Sequence, residues 1–345
     1  EAVFGCARQA GAGPNIARQI SFRAGLGAEK PAYTVNQACA SGLRAIIAAA
    51  SAITLGDADL VLAGGTESMS RLPFYLEGAR WGYRLGHHQV VDGMYRDGFL
   101  DPLCNQVMGE TAENLADRYG IPREEQDLWA LESQQRCEAA RRKGLFRDEI
   151  VAVEAPARKG AGSVLVSADE HPREGVTLGS LAGLPAVFRA GGTVTAGNSS
   201  GITDGAAALL VASAERAAAL GIEAWGRIAG WSVTGVDPAV MGIGPVPAVL
   251  RLEEKTGVRL ADVDLVELNE AFAAQVIACD RDLRFDHSRL NVNGGAIALG
   301  HPIGCSAARI VVTLLHEMRR RGASRGLATL CVSGGMGAAL LIERF

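Results

Sequence analysis

The feature of this sequence that most limits its possible folds is an order of elements that occurs twice. In the first part of the chain, a short strand pattern at 33–36 leads through a turn of small residues into an apolar helix pattern at 43–55. A second strand pattern at 59–63 then ends in a Gly-Gly pair. Strands that alternate with helices predict an α/β fold in which helices cover a mainly parallel sheet.

The C-terminal part of the chain repeats this order. A strand pattern at 290–293 enters a Gly-rich turn, a helix pattern covers 306–321, and a strand pattern at 327–331 runs into another Gly-rich turn. Repetition on this scale predicts two related halves of one molecule rather than a short-period solenoid.

The stretch between these two parts departs from the rhythm and holds most of the aromatic residues. Long segments between core elements commonly bind ligands or partners, so we predict an inserted domain. The predicted organisation is an N-terminal half at 1–68 and 203–222, the insertion at 69–202, and a C-terminal half at 223–345.

Composition excludes several classes of protein. The 34 Lys+Arg and 38 Asp+Glu give a net charge of −4 without long like-charge runs, which argues against nucleic acid or an anionic membrane as the main partner. No window of about 18 consecutive apolar residues is free of charged and turn residues, which argues against a membrane span. Hydrophobic residues make up 48% of the 345 residues, which excludes a disordered chain.

The cysteines stand far apart and include no C-x-x-C pair. The seven lie at positions 6, 39, 104, 137, 279, 305 and 331. This pattern predicts free thiols in a reducing compartment, with neither a disulfide framework nor structural zinc. We therefore expect a cytoplasmic protein, although the chain starts with Glu1 rather than Met and a targeting segment could precede it.

Cys39 is a candidate nucleophile because it stands where a strand pattern turns into a helix pattern, in the sequence NQACASG at 36–42. A thiol at a helix N-terminus feels the positive end of the backbone dipoles, which lowers its pKa and favours the thiolate. The small residues beside Cys39 leave room for a substrate. The alternative for a lone cysteine is a buried and inert thiol.

His301 is a candidate general base because it lies in a Gly-rich turn just before a helix pattern, in NGGAIALGHPIG at 293–304. A histidine there can take a proton from a thiol and later donate a hydrogen bond to a thioester oxygen. The other histidines lie in polar loops or within helix patterns, and we predict structural or solvated positions for His87, His88, His171, His287 and His316.

Two further candidates stand at strand ends in the C-terminal half. Cys331 is the last residue of its strand pattern and precedes a Gly-rich turn, where main-chain N–H groups can close on a ligand oxygen. Asn269 stands between a strand pattern at 265–266 and a helix pattern, where it is either a site residue or a helix N-cap.

Two familiar motifs are disfavoured. The G-x-S-x-G sequence at 197–201 lacks the following helix pattern that a serine hydrolase needs. The Gly-Gly pairs of the chain lack the full G-x-G-x-x-G spacing, so NAD binding is not supported.

Six motifs together resemble the thiolase family, in its order and spacing and over essentially the whole chain. They are NQACASG at 36–42, VTAGNSS at 194–200, MGIGP at 241–245, NEAFA at 269–273, GGAIALGHPIG at 294–304 and CVSGGMG at 331–337. The resemblance implies two βαβαβαββ halves in a five-layered α-β-α-β-α core with an inserted loop domain. It is strongest to the acetyl-CoA acetyltransferases and the 3-ketoacyl-CoA thiolases.

The resemblance also implies an activity: reversible condensation of two acetyl-CoA to acetoacetyl-CoA and CoA, and thiolysis of 3-ketoacyl-CoA. In that reaction Cys39 becomes acylated after His301 takes its proton, and Cys331 removes or returns the α-proton. Asn269 is implied to hold a water that binds the thioester oxygen together with His301. The backbone N–H groups of Cys39 and Ser333 are implied to face the acyl-enzyme oxygen.

Further residues and partners are implied in the same way. The residues expected along coenzyme A are Ser200, Arg173 and Ser180, and those expected around the acyl group are Met108, Met241 and Phe272. Coenzyme A is a substrate, no cofactor or metal is implied, and the family suggests a homotetramer built from tight dimers.

Departures from the family pattern keep alternatives open. Val107 stands where the acetoacetyl-forming enzymes often carry His, so a longer-chain 3-ketoacyl-CoA thiolase remains an alternative. The family normally has a further strand and helix before the position of Glu1, and we expect that strand in the middle of the N-terminal sheet. A non-catalytic acyl-CoA-binding protein is a third possibility. A decarboxylating ketoacyl synthase is disfavoured because it usually needs two histidines.

Overall fold

The computed structural model describes residues 1–157 and 162–345. Its strands are β1 (Ala2–Gly5), β2 (Ala32–Val35), β3 (Leu60–Ser68), β4 (Phe74–Tyr75), β5 (Val91–Asp92), β6 (Leu100–Asp101), β7 (Gln106–Val107), β8 (Val153–Pro156), β9 (Ser163–Val166), β10 (Asp204–Ala212), β11 (Arg227–Gly235), β12 (Leu265–Leu268), β13 (Arg325–Val332) and β14 (Met336–Glu343). Its α-helices are α1 (Ile16–Arg23), α2 (Ser41–Leu55), α3 (Met108–Tyr119), α4 (Arg123–Arg142), α5 (Leu178–Ala182), α6 (Ala214–Ala219), α7 (Pro245–Thr256), α8 (Ala273–Leu283), α9 (Ala296–Leu299) and α10 (Ile303–Arg321). Short 3-10 segments cover Ala38–Ala40, Met69–Arg71, Ala79–Trp81, Pro238–Ile243 and Leu260–Asp262, and a π-turn covers Tyr95–Phe99.

The N-terminal half is built on a four-stranded sheet in the order β10-β3-β1-β2. β1 pairs in parallel with β2 on one side and with β3 on the other, and β10 runs antiparallel to β3. In the described residues, Ala2 to Gly5 pair residue by residue with Leu62 to Gly65. The expected further strand before Glu1, in the middle of this sheet, stays a prediction.

The C-terminal half has a second four-stranded sheet in the order β11-β14-β13-β12. β12 is parallel to β13, while β14 is antiparallel to both of its neighbours. The predicted strand at 290–293 is reduced to one parallel bridge between Leu290 and Val266, because the chain turns immediately afterwards at Asn291, where φ is +44°. The main-chain hydrogen bonds of β12 at this edge continue through the Asn291 side chain, whose Oδ1 accepts from the Leu268 N–H.

Helices α2 and α10 lie between the two sheets and form the central layer. Their apolar residues share one hydrophobic cluster with residues of both sheets. Helix α1 covers the outer face of the N-terminal sheet, and α7 and α8 cover that of the C-terminal sheet. The predicted five-layered α-β-α-β-α arrangement is confirmed.

Glycines let the central helices approach each other and the N-terminal sheet closely. A Cβ at Gly42 of α2 would lie 2.7 Å from the Ala308 nitrogen of α10. A Cβ at Gly65 of β3 would lie 2.2 Å from the carbonyl oxygen of Gly304. Because no side chain fits there, the two helix N-termini meet at the ends of the strands, where the candidate site lies.

One stretch, Ala38–Leu55, is long and apolar enough for a membrane span by length and composition alone, with a hydropathy of 1.6. It contains α2, which packs against β1, β3 and α10. We interpret it as a core helix of the central layer.

The insertion carries α3, α4 and α5 and three short antiparallel pairs of strands. Helix α3 packs against α8, and α4 packs against α8 and α9. The insertion thereby rests on the C-terminal half and supplies one wall of the cavity described below.

Candidate active site

A cavity of about 590 Å³ lies at the meeting point of the two halves and the insertion. Its wall includes four residues that the sequence analysis selected from distant parts of the chain: Cys39, His301, Cys331 and Ser333. Cys39 precedes α2, His301 precedes α10, and Cys331 ends β13, so equivalent corners of the two halves face one cavity.

The Cys39 turn is held in one conformation by its neighbours. Ala38 has a φ of +45°, a left-handed conformation that costs energy for a residue with a Cβ. The Asn36 Oδ1 accepts the Ala38 N–H at 2.9 Å, and the Ser41 hydroxyl donates to the Ala38 carbonyl at 2.7 Å. These bonds maintain the strained turn and present the thiol, which is 8% exposed, to the cavity.

Burial raises the pKa of the Cys39 thiol above its ordinary value. The Ser333 backbone N–H and the charge of Arg8 act in the opposite direction without reversing it. The prediction that the helix end lowers this pKa is therefore wrong in its net direction, because desolvation dominates. Cys39 rests as a thiol and needs a base.

His301 can be that base through its Nε2 atom. The Ser306 hydroxyl donates to the Pro302 carbonyl at 3.0 Å, and its oxygen lies 2.5 Å from Nδ1 of His301. Because the single hydroxyl hydrogen is already used, the oxygen accepts from Nδ1–H. This assignment of the network leaves the lone pair on Nε2.

Burial, then the charges of Arg8 and Arg309, lower the pKa of His301 to about 3. The ring is therefore neutral at pH 7 and able to accept a proton. The Asn269 Nδ2 lies 3.5 Å from Nε2, and Asn269 is 1% exposed. Its Oδ1 has no hydrogen-bond partner among the described residues, which is consistent with a binding place for a water molecule.

Cys331 is 1% exposed, and burial followed by the neighbouring Cys39 raises its pKa well above the ordinary value. The Gly-rich turn after it is held by the insertion, since the Gly334 N–H donates to Asp101 Oδ2 at 2.8 Å. Asp101 is 3% exposed, so this bond is protected from water. The turn places the Ser333 N–H beside the Cys39 sulfur.

The apolar wall of the cavity contains Met108, Met241 and Phe272. Met241 and Phe272 pack in one cluster with Cys331, and the Phe272 ring meets Phe188 edge to face with centroids 6.1 Å apart. This wall suits a short acyl chain.

The residues expected along coenzyme A divide into two groups. Ser200 and Arg173 line the cavity, and the Ser200 N–H donates to the Ala271 carbonyl at 3.0 Å. Ser180 is not among the lining residues in the described part of the chain, and its hydroxyl donates to the Thr177 carbonyl at 2.7 Å at the start of α5. Its contact with coenzyme A stays a prediction.

The G-x-S-x-G sequence at 197–201 forms an irregular segment that leads into β10 rather than into a helix. The Ser199 hydroxyl donates to the Thr195 carbonyl at 2.6 Å, and the described residues near it include no histidine bonded to that oxygen. Within 1–157 and 162–345, no group of three His, Cys, Asp or Glu is placed to hold a metal ion.

Comparison with protein families decides the classification. The thiolase N-terminal domain matches residues 1–215, and the thiolase C-terminal domain matches residues 222–344. The chain belongs to the thiolase family.

This thiolase is 52% identical to the acetyl-CoA acetyltransferase of Pseudomonas aeruginosa, over 100% of the chain and 87% of that protein. It is 53% identical to the acetyl-CoA acetyltransferase of Chromobacterium violaceum, over 100% of the chain and 88% of that protein.

Solved structures agree with this assignment. The acetyl-CoA acetyltransferase of Bacillus anthracis superposes with a TM-score of 0.96 at 46% identity, covering 100% of the chain and 86% of that structure. Human mitochondrial 3-ketoacyl-CoA thiolase in complex with CoA superposes with a TM-score of 0.95 at 42% identity, covering 100% and 86%.

Sequence reasoning missed several residues that build this thiolase site. Ser306 orients His301 and had only one signal, its place in the first turn of the same helix. Asp101 had no signal in the sequence, because its hydrogen bond with the Gly334 N–H forms only in the folded chain. His171, predicted as structural or solvated, is half-buried and lines the cavity, with a backbone bond to Ile297.

Proposed function

We propose that this chain is an acetyl-CoA C-acetyltransferase that condenses two acetyl-CoA to acetoacetyl-CoA and CoA and runs the reverse thiolysis of 3-ketoacyl-CoA. The observation that carries the proposal is one cavity whose wall brings together Cys39, Cys331 and the neutral His301. Relatives named acetyl-CoA acetyltransferase match the whole chain at about half identity, which supports it.

In the first half of the reaction, His301 Nε2 takes the proton of the Cys39 thiol as the sulfur attacks the thioester carbonyl of acetyl-CoA. CoA then leaves with the proton of the Cys331 thiol, an acetyl group stays on Cys39, and His301 keeps the proton that it took. The developing oxyanion is within reach of backbone N–H groups, and we assign those of Cys39 and Ser333 to it because the Ser333 N–H already lies beside the sulfur. A thiolate suits a reversible transfer since it both attacks and leaves readily.

In the second half, Cys331 removes the α-proton of a second acetyl-CoA. Its resting state is a thiol, because burial and Cys39 raise its pKa. The thiolate that remains once CoA has taken its proton is therefore a strong base. The enolate oxygen needs preorganised donors, and we assign His301 and a water held by the orphaned Asn269 Oδ1 to it. The enolate carbon then attacks the acetyl-Cys39 carbonyl and releases the Cys39 thiolate, which takes its proton back from His301.

We assign the cavity-lining residues Ser200 and Arg173 to the coenzyme A moiety, together with Ser180 at the start of α5. The apolar residues Met108, Met241 and Phe272 are assigned to the acyl group. The human structure with CoA supports coenzyme A as the ligand. It enters as a substrate, and the proposed reaction uses no cofactor.

The proposed organisation keeps the domain division at 1–68 with 203–222, 69–202 and 223–345. Two sheets and a separate insertion support it. We also propose a cytoplasmic homotetramer, as the family resemblance suggests.

The decisive experiment incubates the protein with [1-14C]acetyl-CoA and locates the label by peptide mass spectrometry. Label is expected on Cys39, and Cys39→Ala abolishes it. Cys137→Ala is the matched control, because Cys137 is also buried but lies outside the cavity, so its variant keeps the label.

A second arm uses Cys331→Ala, which is expected to keep the acetyl label on Cys39 but to lose acetoacetyl-CoA formation by roughly 10²–10⁴-fold, as for a lost acid/base group. Label on Cys39→Ala, or wild-type binding of coenzyme A without any acetoacetyl-CoA thiolysis, would refute the proposed function. The latter result would identify a non-catalytic acyl-CoA-binding protein.

A further inference from the structure

Arg8 is a cavity residue that the proposed reaction does not use. It follows β1, lines the cavity together with Cys39 and His301, and is 5% exposed. All three guanidinium nitrogens, Nε, Nη1 and Nη2, are buried without a hydrogen-bond partner among the described residues. Arginine offers five N–H donors in a planar fork and stays charged, so this is a large unpaired group.

Packing rather than pairing holds the guanidinium in place. It lies over the Phe99 ring at 5.0 Å from the centroid. It also rests on the main chain at Gly98, where a Cβ would come within 2.0 Å of the guanidinium carbon. The side chain therefore packs between the insertion and the N-terminal half, and its guanidinium donors are buried.

Two carboxylates lie near enough for their charges to act on Arg8, but both are otherwise engaged. Glu67 accepts the N–H groups of Ala7, Arg8 and Gly304, so it bonds the backbone of Arg8 and not its side chain. Asp97 accepts the Tyr75 hydroxyl. Neither forms an ion pair with the guanidinium in the described part of the chain.

A buried guanidinium without a partner costs several kcal/mol, and an anion that supplies hydrogen-bond acceptors offsets that cost. The Cys39 sulfur is a poor candidate, because burial keeps it a neutral thiol at rest and acylation removes its charge during turnover. The phosphates of coenzyme A are also poor candidates. The charge of Arg8 acts on Cys39 and His301, so its side chain lies at the end of the cavity where the acyl group reacts.

We propose that Arg8 binds a carboxylate at the far end of the acyl chain, so that the substrates of this thiolase include 3-ketoacyl-CoA esters of dicarboxylic acids. The inference rests on the proposed function and names a substrate class for it. Cys39 and Arg8 line the same cavity of about 590 Å³.

The reaction itself is unchanged and balanced. The Cys39 thiolate attacks the C3 carbonyl, the C2–C3 bond breaks, and its electron pair stays on C2, which takes a proton from Cys331. Acetyl-CoA leaves, and the carboxyacyl group remains on the Cys39 sulfur with its carboxylate on Arg8. The thiol of a second CoA then attacks the thioester and loses its proton to the Cys331 thiolate. The bond between the acyl carbon and the Cys39 sulfur breaks, Cys39 takes its proton back from His301, and the mono-CoA ester of a dicarboxylic acid departs.

The test compares thiolysis of 3-oxoadipyl-CoA, which ends in a carboxylate, with that of 3-oxohexanoyl-CoA, which has the same chain length and a methyl end. The measured quantity is the ratio of the two kcat/KM values, because a general loss of activity cancels in it. A hydrogen bond to a charged group contributes about 1.5–3 kcal/mol, so Arg8→Met is expected to lower the ratio roughly 10- to 150-fold. Arg8→Lys keeps a charge without the fork and is expected to retain part of the ratio.

The matched control is Arg23→Met, which removes an exposed arginine at the end of α1 and is expected to leave the ratio unchanged. The inference would be overturned by a wild-type ratio near one or by a ratio that Arg8→Met leaves unaltered. An equal loss of kcat/KM for both substrates would also overturn it, because Arg8 would then act on Cys39 rather than on the acyl chain of the substrate. If Arg8→Met does not fold, wild-type inhibition decides: succinyl-CoA is expected to inhibit acetoacetyl-CoA thiolysis at least 10-fold more strongly than butyryl-CoA. Absence of any acetoacetyl-CoA thiolysis would instead count against the proposed function.

Discussion

Ser306 offers a sharp test of the site chemistry, because one hydroxyl group determines which nitrogen of His301 is basic. In Ser306→Ala, the Nδ1–H of His301 loses its acceptor at 2.5 Å inside a buried site. The ring then either leaves this N–H unpaired or moves the proton to Nε2, where it blocks the base. Both outcomes weaken proton transfer from Cys39.

The magnitude follows from the cost of the lost bond. An unpaired buried donor costs about 1–3 kcal/mol, and each 1.36 kcal/mol corresponds to a factor of ten in rate. We expect kcat/KM for acetoacetyl-CoA thiolysis to fall roughly 5- to 150-fold. The rate of Cys39 alkylation by iodoacetamide at pH 7 should fall in parallel, because the same base forms the thiolate.

The control removes an equivalent hydroxyl elsewhere. Ser232 is 3% exposed in β11, and its hydroxyl donates to the Ala248 carbonyl at 2.5 Å, away from the cavity. Ser232→Ala is expected to lower the melting temperature with little change in kcat/KM. If Ser306→Ala keeps wild-type kcat/KM and thiol reactivity within twofold, or if both variants lose activity equally, the proposed role of Ser306 is wrong.

Two further predictions concern stability. The pKa of His301 is lowered from 6.5 to about 3 in the folded chain, so between pH 7 and pH 5 only the unfolded chain gains a proton on this residue. The free energy of unfolding should therefore fall by about 2 kcal/mol more over this pH range in the wild type than in His301→Asn. Urea titrations at the two pH values measure this difference, and equal falls would contradict the prediction. A Cβ at Gly65 would lie 2.2 Å from the Gly304 carbonyl oxygen, so Gly65→Ala should destabilise the fold by about 1–3 kcal/mol. A Cβ at Gly179 would have its nearest neighbouring atom at 3.8 Å, so Gly179→Ala should stay within about 0.5 kcal/mol of the wild-type free energy of unfolding. Thermal melts compare the two variants, and an equal loss of stability in both would contradict the steric explanation.

The fold could be predicted to a large extent from local patterns. The apolar run at 43–55 predicted a helix, and α2 lies in the central layer with most of its first ten residues buried. The repeated order of strands and helices predicted two halves with two sheets. Periodicity and turn residues carry this information because they depend on neighbours a few positions away.

The order of strands within a sheet could not be read in the same way. β1 pairs directly with β3, and the predicted strand at 290–293 shrinks to a bridge at Leu290. Pairing partners lie far apart in sequence, and a strand pattern of a few residues does not record which neighbour it meets.

The site shows the same division. Motifs alone selected Cys39, His301 and Cys331, because strand ends followed by small residues are where a chain can expose a reactive group. The tertiary structure decided that burial raises the pKa of Cys39, that Ser306 leaves the lone pair of His301 on Nε2, and that Arg8 enters the same cavity without a partner. Desolvation and hydrogen-bond partners are sums over atoms from distant segments, so they exist only once the chain is folded.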